Sequence, residues 1–422
     1  MKLRHALISA CLLVLLLPKG ALADTPTPGN LVLKTDFRIW EVNLKYQDLF
    51  SEYEKVYYKG IPVSLSPEDL AALTPELTRE TVRGLDVVKI RDYLERKIAP
   101  DIYREREDVT IDIDIDGKPI FDGHGLYGRK LDSMKAAFLV KGAIENEVKF
   151  VHLPLLREEP VVTVHKKLQK QGITELLSSG ETDFSGSPAN RINNIQVGLS
   201  RFNGHIIEPG EEFVFGKILG PVEEWTGYKK ELVIAGDRTV PEYGGGLCQV
   251  STTAYRAALA AGFPVTARRN HSYAVSYYKP IGLDATVYPP QVDLKFINDS
   301  KTSILMQSFT IEGRAYYNFY GTKDGRQVHM IGPYYYDQTS APAPRVEYTT
   351  ELLPGEKKNL GHAVPGIQSD WYRVVSYADE KKEPYIEFIH SKYQARPDFT
   401  AVGVLAENLA TPEGRRMIES GF

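Results

Sequence analysis

Along residues 109–116 apolar and polar positions alternate strictly, with Val109, Ile111, Ile113 and Ile115 set against Thr110, Asp112, Asp114 and Asp116. A period of two places each set on its own face. That predicts a strand with one wet side, closed by the turn Asp116-Gly117-Lys118-Pro119. Residues 87–98 and 131–141 carry apolar residues at helical spacing, the first run ending before Pro100. Residues 147–153 suit a strand, and residues 161–177 read as mainly helical. The stretch from Ser178 to Ala189 is polar and rich in Ser and Gly, which predicts a loop and a domain boundary. Beyond Arg191 the texture changes to short strand-like runs with many glycines. One helix stands out there, residues 249–261, stopped by Gly262 and Pro264. Strand-like runs follow at 272–278, 285–288, 292–297, 303–311 and 314–320. An Ala- and Pro-containing linker at 339–344 precedes short strands and turns from 346 to 402. The pattern predicts a mixed α+β, multi-domain chain that ends in an all-β module.

Composition adds a destination. Lys2, Arg4 and His5 precede an apolar run from Ala6 to Leu17, and Ala21-Leu22-Ala23 offers small residues where a signal peptidase reads. Residues 1–23 are therefore expected to be a secretory leader. The run is shorter than the about 20 apolar residues of a membrane span, and the rest of the sequence carries no second such run. The mature chain is expected outside the cytoplasmic membrane, without a span of its own. Its formal net charge of −4 falls further when Lys2, Arg4 and Lys19 leave. No basic patch is visible, which argues against nucleic acid as a partner. A mature chain of about 400 residues is too long for one core, so two or three domains are expected. Of the two cysteines, Cys11 lies in the expected leader, which makes Cys248 the lone thiol and excludes an internal disulfide.

The neighbours of Cys248 favour chemistry. Gly244-Gly245-Gly246 permits positive φ and close approach of a ligand. The helix that starts at or just after Cys248 directs unsatisfied N–H groups and a positive dipole end at the sulfur. That setting lowers a thiol pKa, and the same N–H groups suit an oxyanion. Gly244, Gly245, Gly246, Gln249, Ser251 and Thr252 are the candidate oxyanion and substrate loop. The competing reading is a small buried core cysteine. A cysteine nucleophile needs a base, and His271 is the candidate, expected to open a strand. Cys at a helix start, then His opening a strand, is the chain order of papain-like cysteine enzymes. The orienting third group is open among Asp284, Asp293 and Asn270, with Asp284 the first candidate.

Other chemistries find less support. Asp112 to Gly117 imitates the start of an EF-hand loop, but Gly123 stands where a bidentate Glu is required. One cysteine and scattered histidines give no zinc spacing, and Gly246 is not followed by the Lys of a P-loop. No metal and no cofactor are expected. Tyr334-Tyr335-Tyr336 suits sugar stacking or a strand edge.

A series of motifs runs through Phe184-Ser185-Gly186-Ser187, Asn190-Arg191-Ile192-Asn193-Asn194-Ile195, Glu208-Pro209-Gly210-Glu211-Glu212-Phe213 and Gly227-Tyr228. It continues in Gly244-Gly245-Gly246-Leu247-Cys248-Gln249-Val250-Ser251-Thr252-Thr253, Arg269-Asn270-His271-Ser272, Gly282-Leu283-Asp284-Ala285-Thr286-Val287 and Asp293-Leu294-Lys295-Phe296-Ile297-Asn298. In these motifs residues 184–335 resemble the VanW domain. The resemblance implies a domain of short strands around a nucleophile-bearing helix and a role at the cell wall. Some VanW-domain proteins are understood as cysteine-dependent L,D-transpeptidases acting on peptidoglycan stem peptides. The family's cysteine maps to Cys248 and its histidine to His271. Residues 24–178 contain a stretch resembling the peptidoglycan-binding domain that often precedes VanW domains. Residues 346–403 resemble a G5-type module, with 404–422 left as a tail. The expected partner is peptidoglycan, through stem peptides and glycan. The alternatives are a non-catalytic wall-binding protein and a papain-like peptidase or amidase.

Overall fold

The computed structural model describes residues 30–35, 38–43, 48–59, 61–63, 77–235, 238–378 and 382–410. The expected leader, Cys11 and residues 411–422 lie outside them. Four helices organise the described chain: α1 (Val87–Lys97), α2 (Ser133–Glu145), α3 (Ala189–Ser200) and α4 (Leu247–Ala261). The protein is a mixed α+β fold of several small sheets.

In the N-terminal third, α1 starts at Asp86, whose carboxylate accepts from the N–H groups of Val88 (2.8 Å) and Lys89 (3.3 Å). Ile90 and Leu94 of α1 and Ala136, Ala137 and Val140 of α2 share one core with Leu31, Leu33, Val42 and Val151. Those last four come from the sheet Ile39–Asn43, Asn30–Lys34, Phe150–His152. The alternating strand forms at Glu107–Ile113. Its apolar face, Val109 and Ile111, shares a second core with Val164, Ile173, Leu305 and Tyr320. The period breaks at the turn, which leaves Ile115 fully exposed.

A four-stranded antiparallel sheet carries the middle of the chain, in the order Glu175–Asp183, Arg314–Gly321, Ile304–Ile311, Ile206–Ile207. α4 lies across it. Gly246 (φ 116°) and Gly262 (φ 76°) bracket that helix, both in the left-handed region that favours glycine. Beside it, Phe202, Phe213, Phe215, Phe263, Phe296 and Phe319 pack with ring centroids 4.4–6.0 Å apart. Each is nearly fully buried, worth roughly 1.5–3 kcal/mol per ring in area alone.

Three expectations fail here. Residues 161–177 are mostly not helical. They give a strand (Val162–Val164), one helical turn (Lys166–Gln169) and the start of Glu175–Asp183, because β-branched Val162, Thr163 and Val164 extend a sheet. Of the expected loop from Ser178 to Ala189, residues 178–183 instead complete that last strand, while 184–188 are irregular. The strand's buried face is Ser178, Gly180 and Thr182, which hydropathy reads as polar. These small residues let α4 approach the sheet. Ser178 Oγ donates to Ala257 O (2.9 Å), Thr182 Oγ1 meets Thr253 Oγ1 (2.6 Å), and a Cβ on Gly180 would sit 2.2 Å from Thr253 O. The expected strands at 272–278 and 285–288 are absent too. That segment is irregular, with one 3₁₀ turn at Ser276–Tyr278. Side chains, not a strand ladder, satisfy much of its backbone.

The C-terminal part is all β up to a short final helix (Ala406–Ala410). Gln327–Thr339, Gly366–Ser376 and Tyr385–Tyr393 form one sheet; Arg345–Thr349, Phe399–Gly403 and Lys357–Gly361 form another. The first sheet presses on α4: Trp371 and Ile389 join its core, and buried Arg373 donates to Leu259 O and Phe263 O.

Candidate active site

Cys248 is the second residue of α4. Just before it, Gly244 (φ 82°) and Gly246 hold the backbone in a left-handed path, and a Cβ on Gly245 would press within 3.0 Å of the Glu231 backbone. Asn194 from α3 fastens this loop by donating to Gly245 O (3.0 Å) and Lys229 O (2.9 Å). The thiol is partly exposed and lies 3.4 Å from Thr286 Oγ1 and 3.8 Å from Val287 O.

His271 sits against it, 8% exposed, with its ring stacked on Tyr278 (centroids 4.9 Å, 27° between planes). Its Nδ1 meets Asp284 Oδ2 at 2.5 Å, and its own main-chain N–H donates to the same oxygen at 2.8 Å. The ring is thereby oriented through Nδ1, and its other edge serves the sulfur. Asp284, 2% exposed, also takes bonds from Arg268 (3.4 Å) and the Tyr393 hydroxyl.

The charges follow from these contacts. Burial pushes the Cys248 thiol up, but the hydrogen bond and charge of His271, with the Thr286 hydroxyl, bring it down to about 7. Burial pulls His271 down, but Asp284 and Cys248 push it up to about 10. Burial would raise Asp284, yet His271 and Arg268 hold it well below the usual carboxylate range. These contacts favour a thiolate beside an imidazolium, with a carboxylate behind, from about pH 7 upward.

A family model described as "VanW like protein" matches residues 190–320. Residues 190–320 are thus a VanW-like domain. Uncharacterized protein YoaR of Bacillus subtilis (strain 168) is 30% identical over 155 residues, 36% of this chain and 51% of that protein. Vancomycin B-type resistance protein VanW of Enterococcus faecalis (strain ATCC 700802 / V583) is 29% identical over 116 residues, 26% of this chain and 42% of that protein. The chain spans about half or less of the length of these curated relatives. No solved structure matches it significantly.

Within the VanW-like domain the other sequence candidates occupy different places. Asp293 accepts from the Gly216 N–H (2.9 Å) and its own neighbour Leu294 (2.8 Å), away from the imidazole. Asn270 donates to His271 O and Lys392 O (both 2.8 Å), so it braces the chain and not the ring. Gln249, Ser251 and Thr252 are fully buried and do not face a substrate. The cause is their position on the inner side of α4. Gln249 bridges Arg191 (2.9 Å) and Asp183 O (3.0 Å), while Ser251 and Thr252 donate to Ala285 O (2.6 and 3.3 Å) and so fix the residue after Asp284. The Gln249 N–H is occupied by Gly246 O (2.9 Å), and the Leu247 N–H by Gly244 O (3.0 Å). The Cys248 N–H meets no main-chain acceptor among the described residues.

Several site residues carried no sequence signal. Arg268 donates to Asp284 O (2.7 Å), Gly282 O (2.9 Å) and Ser391 Oγ (2.9 Å). Tyr393 and Ser391 come from the C-terminal sheet, beyond the matched 190–320. The Tyr393 hydroxyl accepts from the Gly282 N–H (3.0 Å) and donates to Asp284, and Ser391 Oγ donates to Gly282 O (3.0 Å). At the rim, Arg191 lies over the ring of Tyr277 (4.6 Å), which is 43% exposed. Among the described residues no group of His, Cys, Asp and Glu could hold a metal ion, and no helix is long and apolar enough to cross a membrane.

Proposed function

We propose that the protein is an exported cysteine acyltransferase that acts on the peptide part of peptidoglycan. The observation that carries the reading is the Cys248–His271–Asp284 line at the start of α4, with its thiolate–imidazolium charge state. In this reading the Cys248 thiolate attacks a stem-peptide carbonyl, and the Cys248 N–H stabilises the oxyanion that forms. His271 passes its proton to the leaving amine as the C–N bond breaks, leaving a thioester on Cys248. An incoming amine then attacks the thioester, His271 takes its proton, and the thiolate returns as the new amide forms. Asp284 keeps the imidazole oriented throughout, as the carboxylate does in other triads. The wall as substrate is supported by the VanW-like domain at residues 190–320 and by similarity to a protein named for vancomycin resistance. Export is supported by the leader-like first 23 residues.

The test is incubation of isolated sacculi with wild-type and Cys248→Ala protein, followed by muropeptide separation. New cross-linked products from the wild type alone support the reading. New uncross-linked peptides would assign water as the acceptor and make the protein an amidase. Identical products from both proteins would overturn catalysis.

A further inference from the structure

Tyr278 ends the 3₁₀ turn Ser276–Tyr278, beside the catalytic line. It is 3% exposed, and its ring is stacked on that of His271. On another side Tyr277 meets it edge-on, with centroids 4.6 Å apart and planes at 75°. Its main chain is fixed as well: the N–H donates to Val275 O (3.1 Å), and Arg256 donates to the carbonyl (2.8 Å). Despite this order, the hydroxyl has no hydrogen-bond partner among the described residues. A phenol withdrawn from water and left unpaired costs stability, so its retention calls for a reason. Tyr317 also carries an unpaired hydroxyl, but in the phenylalanine core, edge-on to Phe202 (5.8 Å). What sets Tyr278 apart is its place against the imidazole.

The sulfur does not take the bond. Its oxygen neighbours are Thr286 Oγ1 (3.4 Å) and Val287 O (3.8 Å), and His271 serves it from the other side. The phenol still feels the charge of Cys248. Burial first, then Tyr277 and Cys248, raise it well above its ordinary value, against a smaller lowering by Arg191. The hydroxyl therefore keeps its proton wherever the thiolate exists and remains a donor.

Given acyl transfer at Cys248, we propose that Tyr278 is a further catalytic residue, whose hydroxyl donates to the oxygen of the carbonyl under attack. As the sulfur–carbon bond forms, the carbonyl π pair moves onto that oxygen. Two donors meet it there, the Cys248 N–H and the Tyr278 O–H. No proton leaves the phenol, and the bond loosens when the pair returns and the C–N bond breaks. An interaction absent at rest and made as charge develops lowers the barrier rather than tightening substrate binding.

The experiment compares wild type, Tyr278→Phe and Cys248→Ala on the full chain with two reagents. Acylation by p-nitrophenyl acetate passes through an oxyanion; alkylation by iodoacetamide is a displacement and forms none. Tyr278→Phe keeps the ring on His271 and loses only the hydroxyl. Its Cys248-dependent release of nitrophenolate is expected to slow by about a hundredfold. Its alkylation rate and the pH midpoint of alkylation should match the wild type. Urea unfolding should find it at least as stable, because no hydrogen bond is lost. Equal acylation of wild type and Tyr278→Phe would overturn the assignment and leave acyl transfer standing. Acylation and alkylation slowed together, or slowing with a loss of stability, would also overturn it, by tying the hydroxyl to the resting site. A wild type that is alkylated but releases no more nitrophenolate than Cys248→Ala would sink acyl transfer itself, and the assignment with it.

Discussion

A thiol brought down to about 7 beside an imidazole pushed up to about 10 gives a window between those values in which thiolate and imidazolium coexist. Alkylation by iodoacetamide is therefore expected to rise through pH 7 in the wild type. In His271→Ala the hydrogen bond and charge are gone while burial remains, so the rise should move to about pH 9 or above. A wild-type profile unchanged by that substitution would mean the imidazole does not set the thiol. Local pattern went far at this scale: glycines, helix start and histidine marked Cys248 and His271, and the fold sets both beside Asp284. It could not choose Asp284 over Asp293, because both follow a short loop and only the path of the chain distinguishes them. Nor could it separate Ser251 and Thr252 from a substrate loop, since facing inward on α4 is a property of packing.

Among elements, the strand Glu175–Asp183 and the strand Tyr385–Tyr393 were the least legible, for opposite reasons. In the first, contact with α4 rests on Ser178, Gly180 and Thr182, whose hydrogen bonds replace the apolar signal that periodicity needs. The second lies in the stretch expected to hold short strands and turns, but its role depends on a contact between residues far apart in the chain, and no local pattern encodes that. Tyr393 is the clearest case. Its hydroxyl is buried on a carboxylate, so Tyr393→Phe should cost about 1.5–3 kcal/mol in urea or thermal unfolding. Tyr372→Phe, on the outer face of the same sheet, should stay within about 0.5 kcal/mol. Equal effects of the two substitutions would remove Tyr393 from the support of Asp284.

Across the whole molecule, Glu181 is the charge that ties regions together. It joins Arg104 and Arg129 of the N-terminal third to Arg314 of the central sheet. Burial would raise its pKa, but the charge and hydrogen bonds of Arg129, with Arg104 and Arg314, lower it from 4.5 to about 2. A depressed folded-state pKa gives stability that is present above the unfolded value of about 4.5 and is lost as pH falls through about 2. The contribution at neutral pH is on the order of 3 kcal/mol. Glu181→Gln should lower stability at pH 7 and flatten the acid side of the stability–pH curve measured by urea unfolding. A curve with the wild-type acid slope would move that role to other carboxylates.

Because Tyr393 and Ser391 reach back to Gly282 and Asp284, the unit that must travel together in evolution is longer than the segment a family model recognises. A graft of residues 190–320 alone onto another scaffold would import the nucleophile and its base but leave their carboxylate without the Tyr393 hydroxyl and its loop without Ser391. Recombination between such proteins is thus constrained to breakpoints that keep residue 284 and residues 391–393 from one parent.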